Sequence, residues 1–242
     1  SPELRERFAW RILLGRDRTI NAFALPGGWL GLHLGLISAT ASRDEVAAVL
    51  AHELSHVTQR HIARMMTQDS RVSPLVMGAM ILGAAMATRN PAMGQAVVAG
   101  GQTVAMRTQL NFSRDMEREA DRVGFGVLTQ AGFEPAGVVA MFERLQQASR
   151  LNDDGSFPYL RTHPLTTERI ADMRARLPLG APSAAAPAPR PDLLHGLVAA
   201  RARVLSAAGV DGLRVLVREA QSLPADAPRA RQAVALYGGA LA

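Results

Sequence analysis

The chain of 242 residues contains no cysteine, so no disulfide can brace it, and its redox compartment leaves no mark on the composition. Lysine is absent too. All 27 basic residues are arginine, set against 21 acidic ones, for a net charge of +6 and a pI of about 11.1. The arginine bias follows genome composition more than function. The arginines are scattered among acids, and aromatic residues make up only 5%. A nucleic-acid binder needs a basic stripe interleaved with stacking rings, and none is present, so that class is excluded. A mild attraction to anionic lipid is what the charge leaves. The opening Ser1-Pro2-Glu3-Leu4-Arg5 is polar, with no starting Met and no visible leader, so a trimmed or mature form is expected. An apolar fraction of 48% and a mean hydropathy of +0.05 are ordinary for a globular chain. That length leaves room for a sizeable core and a small second unit.

What the sequence does hold is Ala51-His52-Glu53-Leu54-Ser55-His56, the H-E-x-x-H spacing of zinc hydrolases. The spacing of Val46, Val49, Leu50, Leu54 and Val57 predicts a helix over 42–68, N-capped by Ser42 with Glu45 completing a capping box. On a helix His56 stands about 40° from His52 and one turn along, so both imidazoles can reach one metal. Glu53 is about 100° round, placed to contact a water on the metal without ligating it. Zinc suits these ligands: it takes neutral imidazole, lowers the pKa of a water to about 7 and polarises a carbonyl. Glu53 would then move the water's proton to the leaving amine.

Such a site needs a third protein ligand. His61 lies about 180° round the helix from His52, so it is expected to face away as an ordinary surface or partly buried histidine. The extended pattern with a third histidine fails, because Gln59 and Ile62 stand where Gly and His belong. A carboxylate must serve. Ser113 to Asp121 is expected to open a second helix, running to about Gln130 and stopped by Gly132. Glu117 and Asp121 share a face, and Glu119 points about 160° away from Glu117. The economical assignment puts Glu117 on zinc and Asp121 behind a ligand histidine. The competing reading is a plain acidic first turn, favoured by the helix dipole.

With these residues in view, the sequence resembles the HtpX/BepA group of zinc endopeptidases, which includes the CaaX prenyl endopeptidase. The likeness rests on His52-Glu53-Leu54-Ser55-His56 followed by Glu117-Arg118-Glu119-Ala120-Asp121. It extends to Asn21-Ala22-Phe23-Ala24-Leu25-Pro26-Gly27-Gly28, Phe112-Ser113-Arg114, and Thr162-His163-Pro164 with Glu168-Arg169-Ile170. These ordered motifs cover roughly residues 19 to 177. The resemblance implies Glu117 as third ligand, Glu53 as general base, and a strand at Asn21, Ala22, Phe23 and Ala24 that contributes to substrate binding. For His163 it implies either an oxyanion donor helped by Arg169 or, as in the BepA-type branch, a group that fills the open zinc position and holds the enzyme latent. A structural histidine is the alternative to both.

Taken in order, residues 2 to 14 are expected to be helical, with Leu4, Phe8 and Ile12 on one side. Thr19 to Leu25 and Trp29 to Ile37 read as strands around Pro26-Gly27-Gly28. The second alternates Leu30, Leu32, Leu34 and Leu36 with small residues, which leaves room for another chain. By resemblance it is the edge that holds substrate through main-chain hydrogen bonds. His33 is expected to face solvent. Val72 to Thr88 and Asn90 to Met106 carry no charge, but Pro74 and Arg89-Asn90-Pro91 interrupt them, short of the roughly 20 residues of a membrane span. They are expected to be two small-residue core helices, with a mobile cover or a membrane-touching hairpin over 72–106 as the sharper alternative. A helix over 135–149 carries Val138, Val139, Phe142 and Leu145 inward. A turn-rich loop at 152–156 and a helix over 166–177 follow. Residues 178–191 are a Pro/Ala-rich linker, and 192–242 hold three helices with a weak tetratricopeptide (TPR) signature.

The expected architecture is α+β and helix-dominated: a zincin-like metalloprotease domain with a small sheet over 1–177, then a TPR-like all-α segment over 192–242. The expected activity is zinc-dependent cleavage of extended or misfolded proteins, with one Zn2+ on His52, His56 and Glu117. By resemblance the setting is the Gram-negative periplasm, in envelope quality control, with an assembly partner docked on the tail. The rival is a chaperone-like adaptor with a latched zinc site.

Overall fold

The computed structural model describes residues 7–151, 157–178, 192–224 and 226–242. Strand β3 (Trp29–His33) lies between β1 (Arg11–Gly15), with which it runs parallel, and β2 (Ala22–Leu25), with which it is antiparallel. Gly27 and Gly28, at φ 89° and 94°, make the β2–β3 turn. The helix expected over 2–14 is therefore corrected at its end. The helical spacing of Leu4, Phe8 and Ile12 competes with the adjacent run Ile12-Leu13-Leu14, and the run becomes a strand because β3 offers it a partner. The expected strand over 29–37 is corrected as well. It stops at His33, and α1 (Leu34–Ala39) buries the neighbours Leu36 and Ile37 together, which an alternating strand facing one core cannot do. As the central strand, β3 has no edge left for another chain. The outer strand carrying Ala22, Phe23 and Ala24 is β2.

The next helices are α2 (Arg43–Thr58), α3 (His61–Ala87) and α4 (Pro91–Gln130). The cap of α2 forms as expected, with the Ser42 hydroxyl accepting from Glu45 N at 3.2 Å. The Glu45 carboxylate reaches back to Ala41 N at 2.9 Å and also accepts from Arg144 Nε at 2.7 Å. The helix expected to reach Gln68 ends at Thr58 instead. Arg60 adopts a left-handed conformation (φ 55°), and α3 restarts at His61. Likewise α4 opens at Pro91 rather than Ser113, with the Asn90 side chain accepting from Ala92 N and Met93 N. It stops before Gly132, at φ 80°. Then come α5 (Ala136–Leu151), α6 (Pro158–Thr162) and α7 (Thr167–Ala175), followed by α8 (Leu193–Ser206), α9 (Gly209–Gln221) and α10 (Arg229–Leu241). The loop expected at 152–156 and, apart from Pro178, the linker expected at 178–191 lie outside the described residues.

The chain divides into two compact units, Ser1–Ser55 with Asp121–Ala242, and His56–Ala120. In the first, α2 lies between two apolar clusters. Val49 joins Leu32, Leu36, Met141, Leu145 and Tyr159 on one side, and Ala48 and Ala51 join Leu128, Val139, Phe142 and Met173 on the other. Gly124 lets α4 come close: a Cβ there would lie 3.1 Å from the Ala51 carbonyl oxygen and 3.1 Å from His52 N. Packing on both sides holds the H-E-x-x-H turn rigid.

The second unit is built the other way round. Small residues face one another between α3 and the first part of α4. A Cβ on Gly94 would stand 2.5 Å from the Gly83 carbonyl oxygen. The large apolar side chains point outward, with Met77 58%, Ile81 66% and Met106 66% exposed. The core-helix expectation for 72–106 is overturned: close packing selects the glycines and alanines and leaves Met, Ile and Leu outside. Pro74 sits within α3 without ending it, and α3 is long and apolar enough to cross a membrane, with 6% of its most apolar window buried.

Candidate metal centre

His52 and Glu53 leave α2 from the turn that both clusters grip, and both are buried, Glu53 to 1% exposure. His52 Nδ1 lies 2.9 Å from Asp121 Oδ1. A carboxylate can only accept, so this nitrogen carries the hydrogen and Nε2 keeps its lone pair. Asp121 is itself clamped by Arg169, through Nε at 2.6 Å and Nη2 at 2.7 Å, while Nη1 donates to the Pro164 carbonyl at 2.8 Å. Burial alone would raise the Asp121 pKa. The hydrogen bonds from Arg169 and His52 outweigh it and hold the carboxyl below its ordinary value. Arg169, expected beside an oxyanion, is instead committed to holding Asp121.

His163 follows the short α6, and its backbone N–H donates to the Tyr159 carbonyl at 2.8 Å. Its Nδ1 lies 3.4 Å from His52 Nε2, and its Nε2 lies 3.4 Å from Glu53 Oε1. The imidazole thus faces both His52, the expected ligand, and Glu53, the expected base, and its ring lies 4.7 Å from that of Tyr159.

One turn beyond His52 on α2, His56 presents Nε2 3.4 Å from Glu117 Oε1. Its other nitrogen, Nδ1, lies 3.0 Å from His61 Nδ1. His61 is 1% exposed, which corrects its expected place on an outward face. An unbroken helix would place His61 about 180° from His52, but the left-handed Arg60 breaks it and turns His61 back onto His56. The break has no glycine or proline to announce it. His61 Nε2 is 3.2 Å from Glu119 Oε2, which also receives Arg64 Nη1 at 2.6 Å. Burial pushes the His61 pKa below the ordinary histidine value against the opposing pull of Glu119. The hydrogen bond from Arg64 is the main cause that lowers the Glu119 pKa.

Each donor pair has the spacing of two ligands on one metal ion. Two donors each about 2.05 Å from a tetrahedral zinc stand about 3.3 Å apart. The pairs His56 Nε2–Glu117 Oε1 and His52 Nε2–His163 Nδ1 are both separated by 3.4 Å. Imidazole nitrogens with a carboxylate oxygen are the chemistry of zinc rather than of magnesium or calcium. Of the expected substrate residues, Ala22 is fully buried, the Asn21 carbonyl accepts from His33 N at 3.0 Å, and Phe23 packs on Gly31 of β3. His33 is only partly exposed, with Nδ1 2.9 Å from Thr19 Oγ1.

The sequence model of peptidase family M48 matches residues 5–177. The beta-barrel assembly-enhancing protease of Yersinia pestis is 38% identical over 174 residues, 70% of this chain and 35% of that protein. The protein of the same name from Escherichia coli K12 is 37% identical over 164 residues, 68% of this chain and 33% of its own length. The mitochondrial metalloendopeptidase OMA1 of Arabidopsis thaliana is 31% identical over 166 residues, 68% of this chain and 31% of its own. The chain thus spans about a third of the length of these relatives.

Proposed function

The chain belongs to peptidase family M48, and from that premise we propose that it is a zinc-dependent endopeptidase acting on extended or misfolded proteins. We assign His52, His56 and Glu117 as the ligands, residues whose donor atoms can hold a metal ion. When bound, zinc polarises the scissile carbonyl and acidifies water. Glu53 takes the proton of the attacking water and returns it to the leaving amine. Asp121, locked by Arg169, fixes the tautomer and direction of His52. The outer strand around Asn21, Ala22, Phe23 and Ala24 takes an extended substrate segment. The observation that carries the reading is the buried Glu53 on the same turn as a histidine whose Nδ1 faces Asp121.

The names of the relatives speak of beta-barrel assembly, and the setting we adopt for this chain is outer-membrane protein assembly in a Gram-negative periplasm. The helices α8 to α10 are the proposed TPR-like partner surface, since α10 packs on both α8 and α9 as the third helix of such an array does. A second reading is favoured by His163, whose distance from His52 suits a fourth zinc ligand: the chain is latched, and in the limit acts as an adaptor. Zinc-loaded chain incubated with an unfolded protein separates these. Cleavage that a chelator stops supports the peptidase. Silence relieved by His163→Ala supports the latch, and silence in both overturns the peptidase in favour of the adaptor.

We further propose that the hairpin of α3 and α4 touches a lipid surface. Its outward Met, Ile and Leu are flanked in sequence by Arg71, Arg89 and Arg107, which suit anionic headgroups. The chain should sediment with vesicles containing phosphatidylglycerol, and Ile81→Asp with Met80→Asp should cut the bound fraction at least fivefold. Equal sedimentation of the double variant would overturn this.

A further inference from the structure

The geometry points to His61, Glu119 and Arg64 as a positioning chain that sets the tautomer of His56 and thereby presents its Nε2 as a metal ligand. The inference rests on the reading of His56 as a ligand but reaches residues that reading does not use. Glu119 is an acceptor only, and Arg64 Nη1 at 2.6 Å holds it in place as an anion. His61 Nε2, 3.2 Å away, must therefore be the nitrogen that carries hydrogen. A neutral imidazole has one N–H, so His61 Nδ1 is left with its lone pair. Across 3.0 Å it faces His56 Nδ1, and two lone pairs cannot share that gap. His56 Nδ1 must donate, and the lone pair of His56 is left on Nε2, the atom 3.4 Å from Glu117.

The result mirrors the support of His52. There an arginine holds a carboxylate that accepts directly from the histidine. Here the same arginine–carboxylate pair acts through one intervening imidazole. The insertion is possible because Arg60 ends α2 in a left-handed turn, so that His61, five residues on, meets His56 with the rings at 80° and 4.8 Å apart. Its burial follows from this role: a 1% exposed histidine with both nitrogens engaged is held in one orientation.

The test is nitrogen-15 spectroscopy of the imidazoles in the full chain, with and without zinc. The expected signature is a scalar coupling between His56 Nδ1 and His61 Nδ1 across the N–H···N bond. In the metal-free chain, His56 Nε2 should resonate as the unprotonated nitrogen. His61→Phe should remove the coupling, return His56 toward a mixture of tautomers, and weaken zinc binding by about 10–100-fold. His61→Gln, whose amide can accept from one side and donate to the other, should recover most of that affinity. Glu119→Gln alters a partly exposed side chain. Arg64 Nη1 and His61 Nε2 share Glu119 Oε2, so the amide oxygen can keep accepting from both, and the His56 tautomer should be retained. A His56 that carries its hydrogen on Nε2 in the metal-free wild type would overturn the inference. So would a His61→Phe variant whose His56 spectrum is unchanged. Both outcomes are read without metal, so a failure of zinc to bind would count against the ligand assignment alone.

Discussion

Glu53→Gln should abolish peptide hydrolysis while leaving zinc bound. The substitution keeps the shape of a side chain that is 1% exposed, and it removes only the ability to take a proton. General acid–base groups contribute about 10²–10⁴-fold, and Glu53 is proposed to act twice, first on water and then on the leaving amine. A fall in kcat/KM of about 10³-fold or more is expected, equivalent to about 4 kcal/mol of transition-state stabilisation. Cleavage of an unfolded protein and metal content, measured on one preparation, check it. A variant that keeps a tenth of the wild-type rate would remove Glu53 from the mechanism. Loss of zinc along with activity would make its role structural.

Arg169→Leu is expected to have the largest effect on stability. Asp121 and Arg169 are 4% and 5% exposed and joined by two hydrogen bonds. Breaking a buried pair from one side leaves an uncompensated charge, at a cost of about 3–5 kcal/mol. The guanidinium also lies 5.2 Å from the centre of the Phe142 ring, in the cluster that grips α2, so its loss loosens packing as well. Arg169→Lys should recover little, because a point charge cannot replace the two-pronged contact. Asp121→Asn combined with Arg169→Leu should be milder than Arg169→Leu alone, since no charge is then stranded. Urea unfolding of the three variants would show the order, and equal stability of wild type and Arg169→Leu would mean that the pair is not formed in solution.

The parts legible in the sequence are those governed by local rules. Ser42 and Glu45 announced the start of α2, Gly132 the end of α4, and Val138, Val139, Phe142 and Leu145 the inward face of α5. In each case a cap, a positive φ or a helical period acts within one element. The approach of Asp121 to His52 fits the expectation drawn from the face that Asp121 shares with Glu117, four residues away on one helix. What escaped depended on distant partners. Strand β1 exists because β3 is there to pair with it. Arg60 leaves the helical region without being a residue that prefers to, so the approach of His61 to His56 had no marker. The outward Met and Ile of α3 and α4 could not be told from core residues, since composition does not say which side of a helix meets a neighbour. In that hairpin the glycines decide the matter by allowing close backbone approach.

The most direct measurement is a zinc titration of the metal-free chain, with binding and cleavage of an unfolded protein read in the same samples. The account predicts one equivalent of zinc per chain and cleavage that rises in step with occupancy, measured in His163→Ala if the wild type is latched. It also predicts that His52→Ala, His56→Ala and Glu117→Ala each weaken binding at least 100-fold. Full cleavage without metal, or undiminished zinc affinity in Glu117→Ala, would contradict it.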